Sequence, residues 1–252
     1  MKYLDIHCHL AKNYFWRQMD TLMKEWAGIG LSKIGAMATN IKSSKRNLEL
    51  ADKFPDKIVA AVGRHPWGAH KFTDKDKTFY QEIIADPRVQ IIGEIGLDYY
   101  FIKEKEKYPQ QITMLEFFLK LAEKHNKPVM IHCTGAEQAL SEILSSFNLG
   151  VPVCCHWYSG PAKPLKVLAD MGCFFSINPV IVESRGHQRV LKVVDNNYLL
   201  TESDGDVKFQ GEPGSPALMP FLYKKLAEKL TVPPEQLATR LLENLNRFLQ
   251  RD

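Results

Sequence analysis

Short apolar runs alternate with longer amphipathic segments along almost the whole chain. The runs are predicted as strands at residues 3–6, 33–38, 58–63, 89–93, 128–131, 152–155, 173–177 and 198–201. The segments between them are predicted as helices at about 18–27, 43–54, 75–85, 110–125, 136–147, 164–171, 184–194 and 215–230, with a further helix at 234–249. Eight β-then-α units in this order predict an α/β fold, a parallel (β/α)8 TIM barrel with an extra C-terminal helix.

An open, doubly wound sheet is the competing fold, and it normally has a glycine-rich phosphate turn after its first strand. Here the first strand ends in His7-Cys8-His9, and the eight strands exceed the five or six of such a sheet. No flexible linker interrupts the alternation, so one domain is predicted over residues 1–252. Ser43 and Ser44 are expected to cap the second helix. The irregular segment 205–215 is expected to shape access to the functional face.

The charge balance permits an acidic substrate but does not by itself indicate nucleic-acid binding. The net charge is only +4, and the charged stretch at 103–107 alternates in sign. Five cysteines without regular spacing do not predict a disulfide framework, and Cys154, Cys155 and Cys173 are expected to be buried. No apolar stretch approaches the ~20 residues of a membrane span, and no signal peptide is evident. A cytoplasmic protein is therefore predicted.

Histidine and carboxylate side chains, which commonly bind metal ions, lie at or just after several of the predicted strands. His7 and His9 are two residues apart, so a strand would place them on one face. The remaining four, Glu94, His132, His156 and Asp204, each follow a separate strand. In a barrel these strand ends converge on one mouth. A lone His-x-His could simply bind neighbouring loops by hydrogen bonds, but this larger set of polar groups would need partners.

Six candidate ligands exceed what one tetrahedral zinc ion uses. They predict two divalent ions about 3.5–4 Å apart, with Glu94 as the bridge because a carboxylate has two oxygens. Imidazole-rich ligation favours zinc, manganese or iron, although magnesium remains an alternative. His65 follows the third strand and reaches the same mouth, where it could contact substrate or be structural. His70, His125 and His187 are expected at the surface.

Several motifs resemble the TatD family of metal-dependent hydrolases and DNases, within the amidohydrolase-like superfamily. They are Asp5-Ile6-His7-Cys8-His9-Leu10, Gly63-Arg64-His65-Pro66, Gly93-Glu94-Ile95-Gly96-Leu97-Asp98-Tyr99-Tyr100, His156-Trp157-Tyr158-Ser159-Gly160 and Thr201-Glu202-Ser203-Asp204. The resemblance implies a barrel in which His7, His9, Glu94 and Asp204 hold one ion. It implies that Glu94 also shares a second ion with His132 and His156. Members commonly act on phosphodiesters as metal-dependent exonucleases on DNA.

The chain departs from the family pattern in its cationic positions. Thr134-Gly135 stand where an Arg-Asp pair is common, and Phe101-Ile102 stand where an Arg is common. These departures weaken the prediction that DNA is the substrate more than the prediction that the reaction is a hydrolysis. Replacement charge could come from Arg64, Lys163, Arg185 or Lys103, although each is more readily an ordinary surface cation. Arg64 is the strongest of them because it follows a strand directly.

The predicted reaction is hydrolysis by a metal-bridging hydroxide. Asp204 is expected to act as the general base, Glu94 to bridge the ions, and His65 to donate a hydrogen bond to developing charge. Glu202 is expected to orient a ligand histidine or bind a loop. Aromatic residues also follow the strand ends and could stack on nucleobases or simply close the barrel: Trp67, Tyr99, Tyr100, Trp157 and Tyr158.

Three other functions remain open. One is an amidohydrolase-type enzyme acting on a small phosphodiester, a cyclic amide or an ester, with nearly the same barrel and metals. Another is a non-catalytic, metal-stabilised binding subunit, which the intact ligand set disfavours. The weakest is a nucleic-acid-binding module without catalysis, given the modest charge. DNA or a small phosphodiester is the predicted partner, and the sequence does not identify a protein partner.

Overall fold

The computed structural model describes residues 1–147 and 149–251. Within those ranges, eight parallel strands form one sheet in chain order, and each strand is hydrogen-bonded to the next. They are β1 (Tyr3–Cys8), β2 (Leu31–Ala36), β3 (Ile58–Val62), β4 (Val89–Asp98), β5 (Val129–Thr134), β6 (Val153–Cys155), β7 (Phe174–Ile177) and β8 (Leu199–Thr201). The predicted barrel is confirmed.

Helices follow the strands and cover the outside of the barrel. They are α1 (Asn13–Trp16), α2 (Met19–Gly28), α3 (Ile41–Lys53), α4 (Asp74–Ile83), α5 (Tyr108–His125), α6 (Glu137–Phe147), α7 (Ala162–Asp170), α8 (Arg185–Val193), α9 (Met219–Leu230) and α10 (Pro234–Phe248). The helix expected from residue 215 starts with a 3-10 turn, Pro216–Leu218, before α9. A two-stranded hairpin of β9 (Lys208–Phe209) and β10 (Glu212–Pro213) lies within the segment predicted to be irregular.

The strands are apolar because both of their faces are covered. All five residues of β3 are buried, as expected for a parallel strand with side chains of the barrel on one face and helices on the other. The five cysteines, Cys8, Cys133, Cys154, Cys155 and Cys173, are buried free thiols. The part of the chain that the structure describes contains no helix long and apolar enough to cross a bilayer.

The barrel closes where β1 and β8 meet, at a junction called here the seam. At its lower end, Thr201 Oγ1 donates a hydrogen bond to the carbonyl of Leu4 at 2.8 Å, and the Leu4 amide donates to the Tyr223 hydroxyl at 3.0 Å. At its upper end, the Asp204 amide donates to the carbonyl of His7 at 3.0 Å, and the His9 amide donates to that of Gly205 at 2.6 Å. The seam thus brings His7, His9 and Asp204 together.

The prediction that Ser43 and Ser44 cap a helix is wrong. Helix α3 starts earlier, with Asn40 as its N-cap, and the Ser43 amide donates to Asn40 Oδ1 at 3.0 Å. In return, Ser43 Oγ accepts a hydrogen bond from the Asn40 amide at 3.0 Å. This reciprocal pair is a capping box, which places the serine three residues inside the helix rather than at its start.

Candidate metal centre

The carboxyl ends of the strands bring the six predicted ligand residues to one point. His7, Glu94 and His132 belong to β1, β4 and β5, His9 and His156 directly follow β1 and β6, and Asp204 lies three residues after the end of β8. Five of the six are buried, and His132 is half-buried. These side chains therefore form one cluster at the mouth of the barrel, as the sequence pattern predicts.

The first group of donors surrounds one oxygen of Glu94. Oε2 lies 3.6 Å from His7 Nε2 and 3.5 Å from His9 Nε2. Oδ1 of Asp204 lies 3.6 Å and 3.4 Å from the same two nitrogens. A tetrahedral ion with ligands at about 2.0–2.2 Å separates neighbouring donors by roughly 3.3–3.6 Å. The spacing of this group suits a divalent cation.

The second group surrounds the other oxygen of Glu94. Oε1 lies 2.8 Å from His156 Nε2 and 3.1 Å from His132 Nδ1, and these two nitrogens are 3.3 Å apart. His65 Nε2 is 3.5 Å from the same oxygen. The two oxygens of Glu94 therefore face different sets of imidazoles, which is the arrangement that a bridging carboxylate requires.

Several atoms of the first group are buried without a hydrogen-bond partner among the described residues. They are His7 Nε2, Glu94 Oε2 and Asp204 Oδ1. An unsatisfied buried polar atom costs about 1–3 kcal/mol, and more when it is charged. Because all three point at the same small region, one cation would satisfy them together. The residues present thus fit a metal ion.

The protonation states of the carboxylates also suit a cation. Burial alone would raise the pKa of Glu94, but the surrounding imidazoles of His65, His156 and His7 hold it well below its ordinary value. Burial likewise opposes ionisation of Asp204, yet its contact with His9 lowers its pKa. Both side chains are therefore carboxylates at neutral pH.

The imidazoles differ among themselves. Burial lowers the pKa of His7, which favours the neutral form that binds metals. Burial also opposes protonation of His132 and His156, but the facing carboxylates raise the pKa of both. Protons therefore compete with a cation at the second group, so that binding of a metal there would release protons.

Asp98 contacts the candidate metal centre, although the sequence analysis assigns it no role. Its Oδ2 accepts hydrogen bonds from Trp67 Nε1 at 2.7 Å and lies 2.9 Å from His132 Nε2. These contacts outweigh the effect of burial and lower the pKa of Asp98 to about 2. Glu94 and Asp98 are four residues apart in one strand, a spacing that places both on the same face and could have revealed the second carboxylate.

Two further acids support the ligand-bearing strands. Asp5 Oδ1 accepts hydrogen bonds from the backbone amides of His7, at 3.2 Å, and Ser203, at 2.9 Å, and burial raises the pKa of Asp5 to about 7. Glu202 accepts a hydrogen bond from Ser176 Oγ at 2.5 Å, and its Oε2 lies 3.7 Å from His156 Nδ1. The prediction that Glu202 neighbours a ligand histidine agrees with this geometry.

Two histidine predictions have different outcomes. His65 lines the mouth, where its Nδ1 accepts a hydrogen bond from the Trp67 amide at 3.3 Å, and burial lowers its pKa to about 3. His187 is not at the surface as expected but fully buried, with Nε2 accepting a hydrogen bond from the Asn178 amide at 3.4 Å. It shares the buried face of α8 with Val190, three residues further along.

The mouth encloses a cavity of about 860 Å³ above the metal-type cluster. Aromatic side chains form much of its wall: Trp67, Tyr100, Phe101 and Trp157. Tyr99 and Tyr158 do not line it, since Tyr99 stacks on Tyr108 and the Tyr158 hydroxyl donates to the carbonyl of Pro161. The predicted aromatic set therefore divides into mouth residues and packing residues.

The four candidate replacement cations do not line the mouth in the part of the chain that the structure describes. Among the residues described, Lys12 is the one lysine or arginine that lines the cavity, and it pairs with Asp206 at 2.6 Å. Arg64, the strongest of the candidate replacement cations, does not line the cavity. Its guanidinium donates to the carbonyls of Gly68 and Lys71 at 3.1 and 3.2 Å and lies 3.5 Å from Asp76 Oδ1. Lys103, Lys163 and Arg185 do not line the cavity either.

Comparison with known proteins gives consistent matches over the whole chain. A family model described as "TatD related DNase" matches residues 4–250. An uncharacterized metal-dependent hydrolase of Methanocaldococcus jannaschii is 28% identical over 100% of this chain and 98% of its own. A protein of Edwardsiella piscicida named 3'-5' ssDNA/RNA exonuclease TatD is 26% identical over 89% of this chain and 90% of its own. The crystal structure of the TatD homologue YjjV of Escherichia coli has a TM-score of 0.90 and 25% identity, covering 99% of this chain and 98% of its own.

Proposed function

Because the chain belongs to the TatD family and is a metal-dependent hydrolase, we propose that it cleaves phosphodiester bonds in DNA at the mouth of the barrel. The observation that carries this proposal is the position of Glu94, whose two oxygens face two separate sets of imidazoles. Two divalent ions would be held by these sets, with His7, His9 and Asp204 on one and His132 and His156 on the other. Zinc, manganese and magnesium are the candidate metals.

The ions would supply an activated water and polarise the phosphoryl oxygen. The chain's own residues have separate tasks. Asp204 lines the mouth and is ionised at neutral pH, so it can accept a proton and return it to the leaving oxygen. His65 is neutral, and its Nδ1 already accepts a hydrogen bond. The proton on the other ring nitrogen, Nε2, is thus available to charge that develops on the phosphate.

Two observations support a nucleic acid as the substrate. One is the relative from Edwardsiella piscicida, whose name assigns it single-stranded DNA and RNA. The other is the aromatic wall, in which Trp67, Tyr100 and Phe101 are about half exposed or more. Stacking on an exposed ring contributes about 1–3 kcal/mol per unpaired base. A single strand, whose bases are free to stack, suits this wall better than a duplex.

A specific observation favours a second candidate, a small neutral cyclic amide or ester. The wall of the mouth is mainly apolar, and its one described lysine is paired with Asp206. A neutral carbonyl compound would need no cationic clamp and could still be polarised by the ions. The two candidates use the same metal-binding residues and differ in the substrate that the wall accepts.

The test is the release of nucleotides from end-labelled single-stranded DNA in Mg²⁺ or Mn²⁺. Asp204→Asn is the inactive variant, and Asp195→Asn, at a 3-10 turn remote from the mouth, is the matched control. We expect EDTA and Asp204→Asn to abolish release and Asp195→Asn to retain it. Metal-loaded protein that releases nothing from DNA but hydrolyses a cyclic amide or ester would favour the second candidate.

We also propose that residues 1–252 form one domain in the cytoplasm. One continuous cluster of buried apolar side chains extends from Leu4 to Leu249, which supports a single domain. The five free thiols suit a reducing compartment, where disulfides are rare.

A further inference from the structure

A smaller pocket of about 450 Å³ adjoins the mouth of the barrel. It is called here the side pocket, and it lies between the segment that follows β1 and the start of α3. His9, Lys12 and Thr39 line both the side pocket and the mouth cavity. Because a candidate metal ligand borders both spaces, a chain-like substrate held at the ions can continue directly into the side pocket.

The side pocket differs from the mouth in charge. Lys12, Lys42 and Arg46 line it, against one carboxylate, Asp206. Lys12 is paired with Asp206 at 2.6 Å. The three cations and one anion leave a net positive wall, whereas the only described lysine or arginine of the mouth cavity is the paired Lys12. The positive charge that could bind a phosphate therefore lies in the side pocket and not at the mouth.

The cations of the side pocket have different tasks. Arg46 Nη1 donates to the carbonyl of Ala11 at 2.6 Å and to Asn13 Oδ1 at 3.1 Å, and its guanidinium lies 4.5 Å from the ring of Trp16. These contacts hold the wall in place. Lys42 is exposed, and its side chain makes no hydrogen bond or ion pair with any residue in the two described ranges. Its ammonium group is therefore free to bind an anion.

The remaining lining groups match the other parts of a nucleotide. Tyr14 is 50% exposed, so its ring can stack on a base. The amide side chains of Asn13 and Asn40 also line the pocket and can bind sugar or phosphate oxygens. A cation, an exposed ring and neutral amides in one small pocket suit a nucleotide unit better than a free inorganic anion.

We propose that the side pocket binds the phosphate next to the scissile one in a nucleic acid strand, with Lys42 as its principal cation. This inference rests on the proposed phosphodiesterase function and adds a substrate class to it, namely strands with at least two phosphates. A substrate with a single phosphate would occupy the ions alone and gain nothing from Lys42.

The experiment compares two substrates that differ by one phosphate. They are thymidylyl-thymidine, which has one, and the thymidine trinucleoside diphosphate, which has two. The metal-loaded wild type is expected to cleave the second with a kcat/KM about fivefold to tenfold higher, as one charge-assisted contact allows. Lys42→Ala should raise the KM of the substrate with two phosphates until its kcat/KM no longer exceeds that of the first. It should leave cleavage of the first substrate unchanged. Lys42→Arg, which keeps the charge, should restore most of it.

Lys45→Ala is the matched control, because Lys45 lies on the same helix and is exposed but contacts Phe79 outside the side pocket. It should leave both substrates unaffected. An equal loss on both substrates in Lys42→Ala, or a loss on neither, would overturn the proposal. So would a loss in Lys45→Ala of the same size as in Lys42→Ala.

Failure of the proposed function is distinguishable from failure of the side pocket. If the wild type cleaves neither substrate and also releases no nucleotide from end-labelled single-stranded DNA, the phosphodiesterase function fails. The pocket is then judged from the Kd of fluorescently labelled decathymidylate, measured by anisotropy at several salt concentrations. If the side pocket binds strands, Lys42→Ala should raise Kd about fivefold. It should also reduce the slope of log Kd against log salt concentration by about 0.7. An unchanged Kd, or no binding by the wild type, would overturn the proposal.

Discussion

Oδ2 of Asp98 lies 2.9 Å from Nε2 of His132, on the opposite side of the ring from the contact between His132 Nδ1 and Glu94. An acceptor at Nε2 keeps the proton there and leaves Nδ1 with its lone pair free for a metal. Asp98 is itself fixed, because its backbone amide donates to Gln111 Oε1 at 2.7 Å and its carboxylate accepts from Trp67. The orientation of His132, a candidate metal ligand, thus depends on Asp98, which is not itself a candidate ligand.

Asp98→Asn should therefore weaken metal binding without unfolding the protein. The side-chain nitrogen of asparagine accepts no hydrogen bond, whereas both carboxylate oxygens of Asp98 face donors: Trp67 and His132 on one side, and the amides of Tyr100 and Phe101 on the other. Whichever side the nitrogen takes loses its acceptor, so the imidazole is no longer held in one tautomer. We expect a tenfold to 100-fold loss of affinity for Zn²⁺ or Mn²⁺, roughly as for other outer-shell carboxylates, measured by calorimetric titration. Asp86→Asn is the control, since Asp86 binds Arg88 ahead of β4. Equal affinities in both variants would contradict the prediction.

Metal removal should lower the melting temperature. At a metal concentration 100 times Kd, binding stabilises the native state by about 2.7 kcal/mol. For a chain of this size that corresponds to a rise in Tm of roughly 5–10 °C over the EDTA-treated protein, measured by calorimetry. Glu94→Gln should lose most of this rise, because Glu94 contacts both groups of imidazoles. Glu228→Gln, at an exposed ion pair, should keep it, and a full metal response in Glu94→Gln would refute the bridging role.

Gly96→Ala should destabilise the barrel next to the candidate metal centre. A Cβ at position 96 would lie 1.9 Å from the carbonyl oxygen of His132, and the φ of Gly96 is +145°, where other residues are strained. We expect a loss of more than about 3 kcal/mol in urea unfolding, together with weaker metal binding because the His132 backbone must move.

Gly28→Ala provides the comparison for that variant. A Cβ at position 28 meets no atom within 4 Å, and the residue ends helix α2. Alanine there should be neutral or slightly stabilising. Comparable losses in the two variants would show that glycine content, and not the approach to His132, accounts for the effect.

His187 should make stability depend on pH. Burial lowers its pKa from 6.5 in the unfolded chain to about 4 in the native state. Between these values the unfolded chain binds a proton that the native state does not, so stability falls as pH decreases from 6.5 toward 4. From pH 7.5 to pH 5 the loss is about 2 kcal/mol.

His187→Gln should remove that part of the pH dependence, since glutamine can accept the same hydrogen bond from the Asn178 amide but does not titrate. Urea unfolding of the wild type and the variant at both pH values measures the difference. His70→Gln changes an exposed histidine and should follow the wild type. A variant with the wild-type pH dependence would show that His187 does not cause it.

The sequence predicts the barrel and the metal-type cluster well because both follow from local patterns. Each parallel strand is buried on both faces, so it is a short apolar run that any reading of periodicity finds. A polar residue that ends such a run must lie at the mouth. The residues His132 and Asp204, from distant parts of the chain, could be brought together on this argument alone.

The remaining errors concern side chains whose partners come from tertiary contacts. Arg64 follows β3 and is the strongest of the candidate replacement cations, yet its guanidinium binds the carbonyls of Gly68 and Lys71. Asn40 caps α3 because the helix begins at Ile41, and the sequence alone does not decide between Asn40 and Ser43 as the cap. His187 could have been found, since its spacing from Val190 is that of a buried helical face.

The seam has a consequence for how the protein unfolds. Cys8 and Gly205, which neighbour the candidate ligands His7 and Asp204, are 197 residues apart in the chain and form a bridge between its first and last βα units. An ion held by His7, His9 and Asp204 would act there as a reversible cross-link. The entropic cost of closing a loop grows only slowly with the length of the loop. Joining two residues this far apart in the chain therefore costs little more than joining residues that are closer in sequence. The metal-loaded barrel should therefore resist separation of β1 from β8 at the seam and open as one cooperative unit.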